Sequence, residues 1–204
     1  MRLLFPKKLL MKNKVILTDV DGVLCNWEYA FGIWMDAHGF NKVSGSQFDY
    51  SIGFQYGIDD AQANKLIKLF NESASIGFLP ALRDAVYYVK RLHEEHGYVF
   101  RCITSLSLDT NAGKLREMNL HKLFGETAFE KITCLDTGAA KDDALFPYKD
   151  SGLYWIEDKI SNADLGHVMG LKSILMEHGH NMKHKCQYPV VKNWKEIYEI
   201  ITHD

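Results

Sequence analysis

Short apolar runs recur along the chain, and segments with a helical spacing of apolar positions separate them. Unbroken apolar runs of this length are typical of strands that a parallel sheet buries on both faces. Strands that alternate with helices predict an α/β fold with a doubly wound parallel sheet. The predicted strands are Val15–Val20, Tyr98–Thr104, Lys131–Leu135, Leu153–Glu157 and Leu171–Met176.

Helical periodicity is clear before the second strand. Leu82, Val86 and Val89 lie three and four positions apart, and Gly97 follows as a stop signal. We therefore expect helices on both faces of the sheet. The other predicted helical stripes are Leu115, Met118 and Leu123, and, near the end of the chain, Trp194, Ile197, Tyr198 and Ile201.

The connection after the first strand is long and carries no predicted strand. Its two helical stripes begin near Trp27 and near Ala63, and the segment between them is rich in Gly, Ser, Phe and Tyr. This pattern predicts a small helical cap inserted into a sheet domain, and ordinary core helices are the alternative. The predicted division is a tail at residues 1–13, a core domain at 14–25 and 77–204, and a cap at 26–76.

The charge balance excludes some classes of partner. Lys and Arg number 24 and Asp and Glu 26, so the formal net charge is −2. This gives no electrostatic surface for duplex nucleic acid or for an anionic membrane.

No apolar run approaches the roughly 20 residues that span a bilayer. The basic, apolar start is broken by Pro6 too early to predict a signal peptide.

The cysteines, Cys25, Cys102, Cys134 and Cys186, lie far apart and form no C-x-x-C pair. Cys102 and Cys134 fall inside predicted strands. This placement predicts small core residues rather than disulfides or zinc ligands. It favours a reducing, cytoplasmic setting.

Two carboxylates one residue apart, Asp19 and Asp21, end the first strand, and Gly22 follows. Ligands bind outside the carboxyl ends of strands in open α/β sheets, and residues i and i+2 of a strand share a face. Two acids held together repel one another unless a cation or a proton relieves them. The pattern suits a Mg²⁺ site with one carboxylate as nucleophile and the other as acid and base. A solvated turn is the alternative.

The stretch 19–24, Asp-Val-Asp-Gly-Val-Leu, resembles the first motif of the haloacid dehalogenase superfamily of phosphotransferases. Further motifs follow in the same order as in that superfamily, over about residues 14–165. The resemblance implies a parallel-sheet core. It also implies a cap in the slot after the first strand, where it covers the active site and selects the substrate.

Thr104 and Ser105, which end the second strand, resemble the second motif, and Lys141 after the third strand resembles the third. The resemblance implies that these residues bind the substrate phosphate, with the hydroxyls as donors and the lysine as the cation. The pair Glu157 and Asp158 resembles the fourth motif, which completes a Mg²⁺ site.

The resemblance implies that Asp19, the Asp21 carbonyl and Asp158 hold the metal. Glu157 stands where Asp is more frequent in the superfamily, and we expect it to act through water or to orient a ligand.

Within the superfamily, the chain is most similar to the 5′(3′)-deoxyribonucleotidase group. Trp27 and Glu28 follow the first motif, and Gly-Phe-Leu-Pro at 77–80 leads towards a strand that closes in Cys-Ile-Thr-Ser at 102–105. Leu106 stands where that group has Pro, which departs from the pattern. The resemblance implies a nucleoside monophosphate as substrate.

Aromatic residues are frequent in the cap. Phe31, Trp34, Phe48 and Tyr50 are candidates for a face that stacks on a nucleobase. They suit a hydrophobic core for the cap equally well.

A histidine cluster follows the fifth strand, with His178, His180, His184 and Cys186 close in sequence. Metal ligation is one interpretation. The Gly, Asn and Lys residues among them favour a solvated loop.

Together, the residues and the resemblance predict a Mg²⁺-dependent phosphomonoester hydrolase that acts through an aspartyl-phosphate on a small phosphorylated substrate. The alternatives are a phosphatase for another metabolite or for a polynucleotide 3′-phosphate, a phosphotransferase, and a non-catalytic binding protein on the same fold. A homodimer is compatible with the chain.

Overall fold

A computed structural model describes residues 14–182 and 184–204. The tail predicted at residues 1–13 lies outside the described residues. The strands are β1 (Val15–Thr18), β2 (Val99–Ser105), β3 (Phe129–Leu135), β4 (Tyr154–Glu157), β5 (Lys172–Met176) and β6 (Val190–Val191). They form one six-stranded sheet in the order β3-β2-β1-β4-β5-β6. Every neighbouring pair is parallel, so the predicted doubly wound sheet is confirmed.

The last strand, β6, was not predicted. It is two residues long and pairs with β5 through Leu175 opposite Val190. A run this short lies below the length at which apolar periodicity distinguishes a strand from a loop.

The helices cover the two faces of the sheet. They are α1 (Trp27–Ala37), α2 (Ile52–Tyr56), α3 (Asp60–Asn71), α4 (Ala85–Glu94), α5 (Thr110–Phe124), α6 (Asp142–Leu145), α7 (Ile160–Val168) and α8 (Trp194–His203). Short 3₁₀ segments lie at Ser46–Phe48, Ala74–Phe78 and Phe146–Tyr148. No helix in the described part of the chain combines the length and the apolar character needed to cross a membrane.

The central strand β1 is buried on both faces. Successive residues of a strand point to opposite sides, so Ile16 belongs to one core cluster and Leu17 to another. Thr18 lies opposite Cys102 of β2 and Ile156 of β4. The carboxyl ends of these three strands therefore meet at one edge of the sheet.

The segment at residues 26–76, which we call the cap, packs its aromatic rings together, and these rings join the same buried core as β1. The rings of Trp27 and Phe31 stack with centroids 4.5 Å apart, and Phe70 meets Phe31 edge-on at 5.3 Å. The Trp27 indole donates to Asn71 Oδ1, and Asn71 Nδ2 donates to the Leu106 carbonyl after β2. These bonds tie the cap to the edge of the sheet where the strands end.

Candidate active site

Three carboxylates converge at the ends of β1 and β4. One oxygen from each of Asp19, Glu157 and Asp158 lies within 4.8 Å of the others. Asp19 and Glu157 are buried. Gly22 turns the chain beside them with a φ of +77°, and a Cβ at that position would lie 2.2 Å from Asp158 Oδ2. Only glycine fits here without moving the acidic cluster.

Lys141 supplies the positive charge of this cluster. Its Nζ lies 2.9 Å from Asp19 Oδ2 and 2.8 Å from Glu157 Oε2, and its side chain is 2% exposed. Burial by itself would lower the pKa of the Lys141 ammonium, but the negative charges of Asp19 and Glu157 outweigh it. The pKa is therefore raised, and Lys141 stays protonated at neutral pH.

The two acids at the end of β4 differ in their hydrogen bonds. Glu157 Oε2 accepts from Lys141, and its Oε1 accepts from the Lys159 main-chain N–H and the Asn162 amide. Among residues 14–182 and 184–204, no hydrogen bond to the Asp158 carboxylate is formed. Asp158 thus has free oxygens for a ligand, whereas both oxygens of Glu157 hold other side chains and backbone in place.

Burial and the neighbouring negative charges raise the pKa values of both Glu157 and Asp158. Burial raises the pKa of Glu157, although Lys141 opposes the shift. Burial also raises the pKa of Asp158, and the nearby charges of Glu157 and Asp19 raise it further. Both carboxyls therefore hold protons at higher pH than ordinary acids do, even with Lys141 nearby.

The residues predicted to bind phosphate lie at the same edge. Thr104 and Ser105 end β2 and line the same cavity as Asp19 and Lys141. The Ser105 hydroxyl donates to the Ala139 carbonyl at 2.8 Å. That proton is therefore engaged, so Thr104 is the better placed hydroxyl donor.

Arg116 is a site residue that sequence reasoning missed. Its guanidinium, fully buried, donates from Nη1 to Asp21 Oδ1 at 2.7 Å and from Nη2 to Asp21 Oδ2 at 2.8 Å. Burial raises the pKa of Asp21, and the Arg116 charge opposes that shift. The available signal was an arginine on the buried stripe of α5, between Ala112 and Leu120.

A cavity of about 810 Å³ lies over these groups, and residues of both cap and core line it. The cap side includes the aromatic rings of Trp27 and Tyr50 and the amides of Gln55 and Asn64. Another depression, of about 520 Å³, lies along α4 and contains none of the clustered acids. We therefore place the candidate chemistry in the larger cavity.

The aromatic candidates of the cap separate into two groups. Tyr50 lines the cavity, whereas Phe31 is buried in the aromatic core of the cap. Trp34 packs against Phe31 and Phe70, and Phe48 is exposed and does not line the cavity. Only Tyr50 of the four is placed to contact a substrate in this cavity.

The histidine segment after β5 is not the solvated loop that its composition favoured. His178 and His180 are partly buried and line the cavity. His178 Nε2 donates to the Gly22 carbonyl at 2.7 Å, and Asn181 Nδ2 donates to the Asp158 carbonyl at 2.7 Å. These long-range bonds hold the segment over the acidic cluster. Burial lowers the pKa of both histidines, which keeps them neutral at neutral pH.

The other two members of that segment have separate surroundings. His184 Nε2 lies 3.9 Å from Asp164, and the Cys186 thiol donates to the Tyr188 carbonyl. Within the described ranges, the acids of β1 and β4 form the only group of potential metal ligands, and no histidine belongs to it. Cys25, Cys102, Cys134 and Cys186 are free thiols, of which Cys25 and Cys102 are buried and the other two are partly buried.

Sequence comparison finds one distant relative, and no protein-family model matches the chain. An uncharacterized 32.4 kDa protein from the Gp30–rIII intergenic region of Enterobacteria phage T4 is 26% identical over 157 residues, which is 73% of this chain and 55% of that protein. The chain thus spans about half the length of the curated relative that it matches.

Solved structures with the same architecture are more numerous. A haloacid dehalogenase-like hydrolase from Streptococcus pneumoniae matches with a TM-score of 0.63 and 14% identity, over 92% of this chain and 98% of that one. CbbY from Rhodobacter sphaeroides, in complex with phosphate, matches with a TM-score of 0.59 and 16% identity, over 90% and 96%. The D,D-heptose 1,7-bisphosphate phosphatase of B. bronchiseptica, complexed with magnesium and phosphate, matches with a TM-score of 0.58 and 14% identity, over 93% and 98%.

The chain has the haloacid dehalogenase-like fold. The fold that the resemblance implied is therefore confirmed. At these identities the likeness extends to the fold alone, and the chemistry depends on the side chains of this chain. The narrower resemblance to the deoxyribonucleotidases stays a prediction.

Proposed function

We propose that the protein is a phosphomonoester hydrolase with Asp19 as its nucleophile. The observation that supports this most directly is the contact between Asp19 and the buried ammonium of Lys141, at the floor of a cavity that the cap covers. A carboxylate beside a fixed cation can approach a phosphate whose negative charge would otherwise repel it. The haloacid dehalogenase-like fold, which phosphatases share, agrees with this chemistry.

In the first step the Asp19 carboxylate attacks phosphorus, the bond to the ester oxygen breaks, and Asp21 gives a proton to the leaving oxygen. In the second, Asp21 takes a proton from water as that water attacks the phosphorus of aspartyl-phosphate. The bond between phosphorus and the Asp19 oxygen breaks, which regenerates the Asp19 carboxylate and releases inorganic phosphate. Thr104 and Lys141 hold the oxygens of the transferring group, and the cap keeps bulk water away.

A divalent cation fits the donor set of this site. The carboxylates of Asp19 and Asp158 are hard oxygen ligands, and the main-chain carbonyl of Asp21 is the third group that would hold Mg²⁺. The crowding that raises the pKa of Asp158 is what a cation would relieve. When bound, the ion neutralises charge on the phosphate and on the nucleophile.

Magnesium is expected to stabilise the protein more at pH 8 than at pH 6. Binding requires a deprotonated Asp158 carboxylate, and the pKa of Asp158 is raised, so protons compete with the cation as the pH falls. The measurement is the melting temperature of the protein at several pH values, with and without Mg²⁺ at a concentration on the order of 5 mM.

The matched variants for these melting experiments are Asp158→Asn and Asp136→Asn. Asp158→Asn is expected to remove the Mg²⁺-dependent shift. Asp136 also lines the cavity but lies outside the acidic cluster, so Asp136→Asn is expected to keep it. A shift in melting temperature that is independent of pH, or that survives in Asp158→Asn, would contradict this metal site.

The substrate that we propose is a nucleoside monophosphate, which the resemblance of the chain's motifs to those of the 5′(3′)-deoxyribonucleotidases implies. The cavity combines aromatic rings, Trp27 and Tyr50, with amides that can bond a base or sugar. Gln55 Nε2 donates to the Asp49 carbonyl, which leaves its buried Oε1 without a partner among the described residues. A donor on the leaving group would satisfy that oxygen.

Phosphate release from a substrate panel tests both the proposed hydrolase activity and the proposed nucleotide substrate. The panel contains deoxyribonucleoside and ribonucleoside monophosphates, sugar phosphates, 3′-phosphorylated oligonucleotides and p-nitrophenyl phosphate, each with and without Mg²⁺. Mg²⁺-dependent release that is fastest from nucleoside monophosphates is the expected result. Release from other compounds only would keep the hydrolase and reject the nucleotide, and no release from any compound would reject the hydrolase.

A further inference from the structure

Arg116 is a fully buried cation on the inner face of α5. Ala112 and Leu120, four residues before and after it, are apolar and buried, and Asn119 is the other buried polar residue of that stripe. An apolar side chain of similar length would therefore suit the position by packing alone. Taking a guanidinium out of water costs several kcal/mol, which its partner must offset.

That partner is Asp21. The two guanidinium nitrogens of Arg116 lie 2.7 and 2.8 Å from the two carboxylate oxygens. A pair of parallel hydrogen bonds fixes the plane of a carboxylate as well as its position, which a single bond from a lysine does not. The Asp21 side chain is 22% exposed and lines the cavity, and each of its oxygens, which accepts one bond from Arg116, keeps a second lone pair that can take a proton.

The helix that carries Arg116 is itself anchored near the site. Asp109 caps α5 by accepting from the Ala112 N–H at 2.8 Å. Asn119 donates to the Leu79 carbonyl at 3.0 Å and accepts from the Cys25 thiol. The two Asn119 contacts join α5 to the chain on both sides of the cap, so the guanidinium has a fixed position relative to β1.

We propose that Arg116 is a positioning residue for the acid and base of this site. It holds the Asp21 carboxylate in the orientation that proton exchange with the leaving oxygen, and then with water, requires. Arg116 itself makes and breaks no covalent bond and need not touch the substrate. The inference rests on the proposed hydrolase function, which gives Asp21 its role, and it assigns part of the site to α5, which carries none of the four motifs.

The test is a double-mutant cycle with the alkyl phosphomonoester of the panel that is hydrolysed fastest, because an alkoxide leaving group requires the proton that Asp21 gives. Arg116→Met is expected to lower kcat about 100-fold, because small misplacements of a reacting group have effects of this size. KM is expected to change less than about threefold, since Asp21 is not a phosphate-binding group. Arg116→Lys, which keeps the positive charge but not the two parallel hydrogen bonds, is expected to recover part of kcat.

The second arm of the cycle keeps the test decisive if Arg116→Met folds poorly. That variant leaves the Asp21 carboxylate without its partner, whereas Arg116→Met/Asp21→Asn removes both charges. If Arg116 acts through Asp21, the double variant has the kcat of Asp21→Asn alone. Arg101→Met is the control, because Arg101 forms a surface pair with Glu130 away from the cavity.

Two results would overturn the proposal while leaving the hydrolase intact. One is a folded Arg116→Met protein with the wild-type kcat. The other is a double variant whose kcat falls below that of Asp21→Asn by the full factor seen for Arg116→Met. A wild-type protein that hydrolyses nothing in the panel would overturn the hydrolase, and this role of Arg116 with it.

Discussion

Asp19→Asn is expected to lower the rate of phosphate release by a factor on the order of 10⁴ or more, because an amide does not replace a carboxylate nucleophile. The protein is expected to remain folded. Lys141 keeps its contact with Glu157, and the amide oxygen can still accept from the Val20 N–H. Phosphate release and urea unfolding, measured on the same preparation, separate the two effects.

Asp36→Asn is the matched control for this variant. Asp36 is an exposed carboxyl of α1 that does not line the cavity, so the same chemical change there is expected to leave the rate unaltered. The proposed mechanism would be wrong if folded Asp19→Asn turned over substrate at the wild-type rate. An unfolded Asp19→Asn would instead show that the carboxylate is needed for stability.

The sheet could be predicted because its signal is local. A strand buried on both faces is mostly apolar, and β1, β2 and β4 each lie in a largely apolar run. The grouping of Asp19, Thr104 and Asp158 followed from the same premise, since parallel strands end at one edge. The structure does bring these residues to one cavity, together with Lys141.

Arg116 could not be assigned from sequence because its partner is distant along the chain. An arginine on a helical stripe often extends its apolar stem and leaves its charge in water. Whether it pairs with Asp21 depends on how α5 packs on the sheet. The spacing of apolar residues along the sequence does not predict that orientation.

The predictions for the histidine segment and for the cap aromatics were wrong for a related reason. The segment lies over the site because Asn181 bonds to the carbonyls of Asp158 and Met176, contacts that composition does not reveal. In the cap, Phe31 and Tyr50 are both aromatic, yet only tertiary packing decides that Phe31 faces the cap core and Tyr50 the cavity.

Lys141→Met is expected to lower kcat/KM about 10²- to 10³-fold, the usual loss when a preorganised charge is removed from a transition state. It is also expected to reduce stability by up to about 3–5 kcal/mol, since it leaves Asp19 and Glu157 buried without their cation. Phosphate release and urea unfolding at pH 6 and pH 8 measure these effects.

The pH dependence of this variant has a definite sign. Lys141 lowers the pKa of Glu157, so its removal lets burial raise that pKa further. The folded carboxyl then keeps a proton that the unfolded chain releases, and stability present at low pH is lost as the pH rises through the folded pKa. We therefore expect Lys141→Met to be less stable at pH 8 than at pH 6.

The double variant Lys141→Met/Glu157→Gln separates the structural role of Lys141 from its catalytic one. Removing the Glu157 charge is expected to restore part of the stability and to weaken its pH dependence, because less unpaired charge stays buried. Activity is expected to stay low, since no cation faces the phosphate. If activity returned together with stability, Lys141 would serve only to neutralise Glu157, and the phosphate would need another positive partner in this cavity.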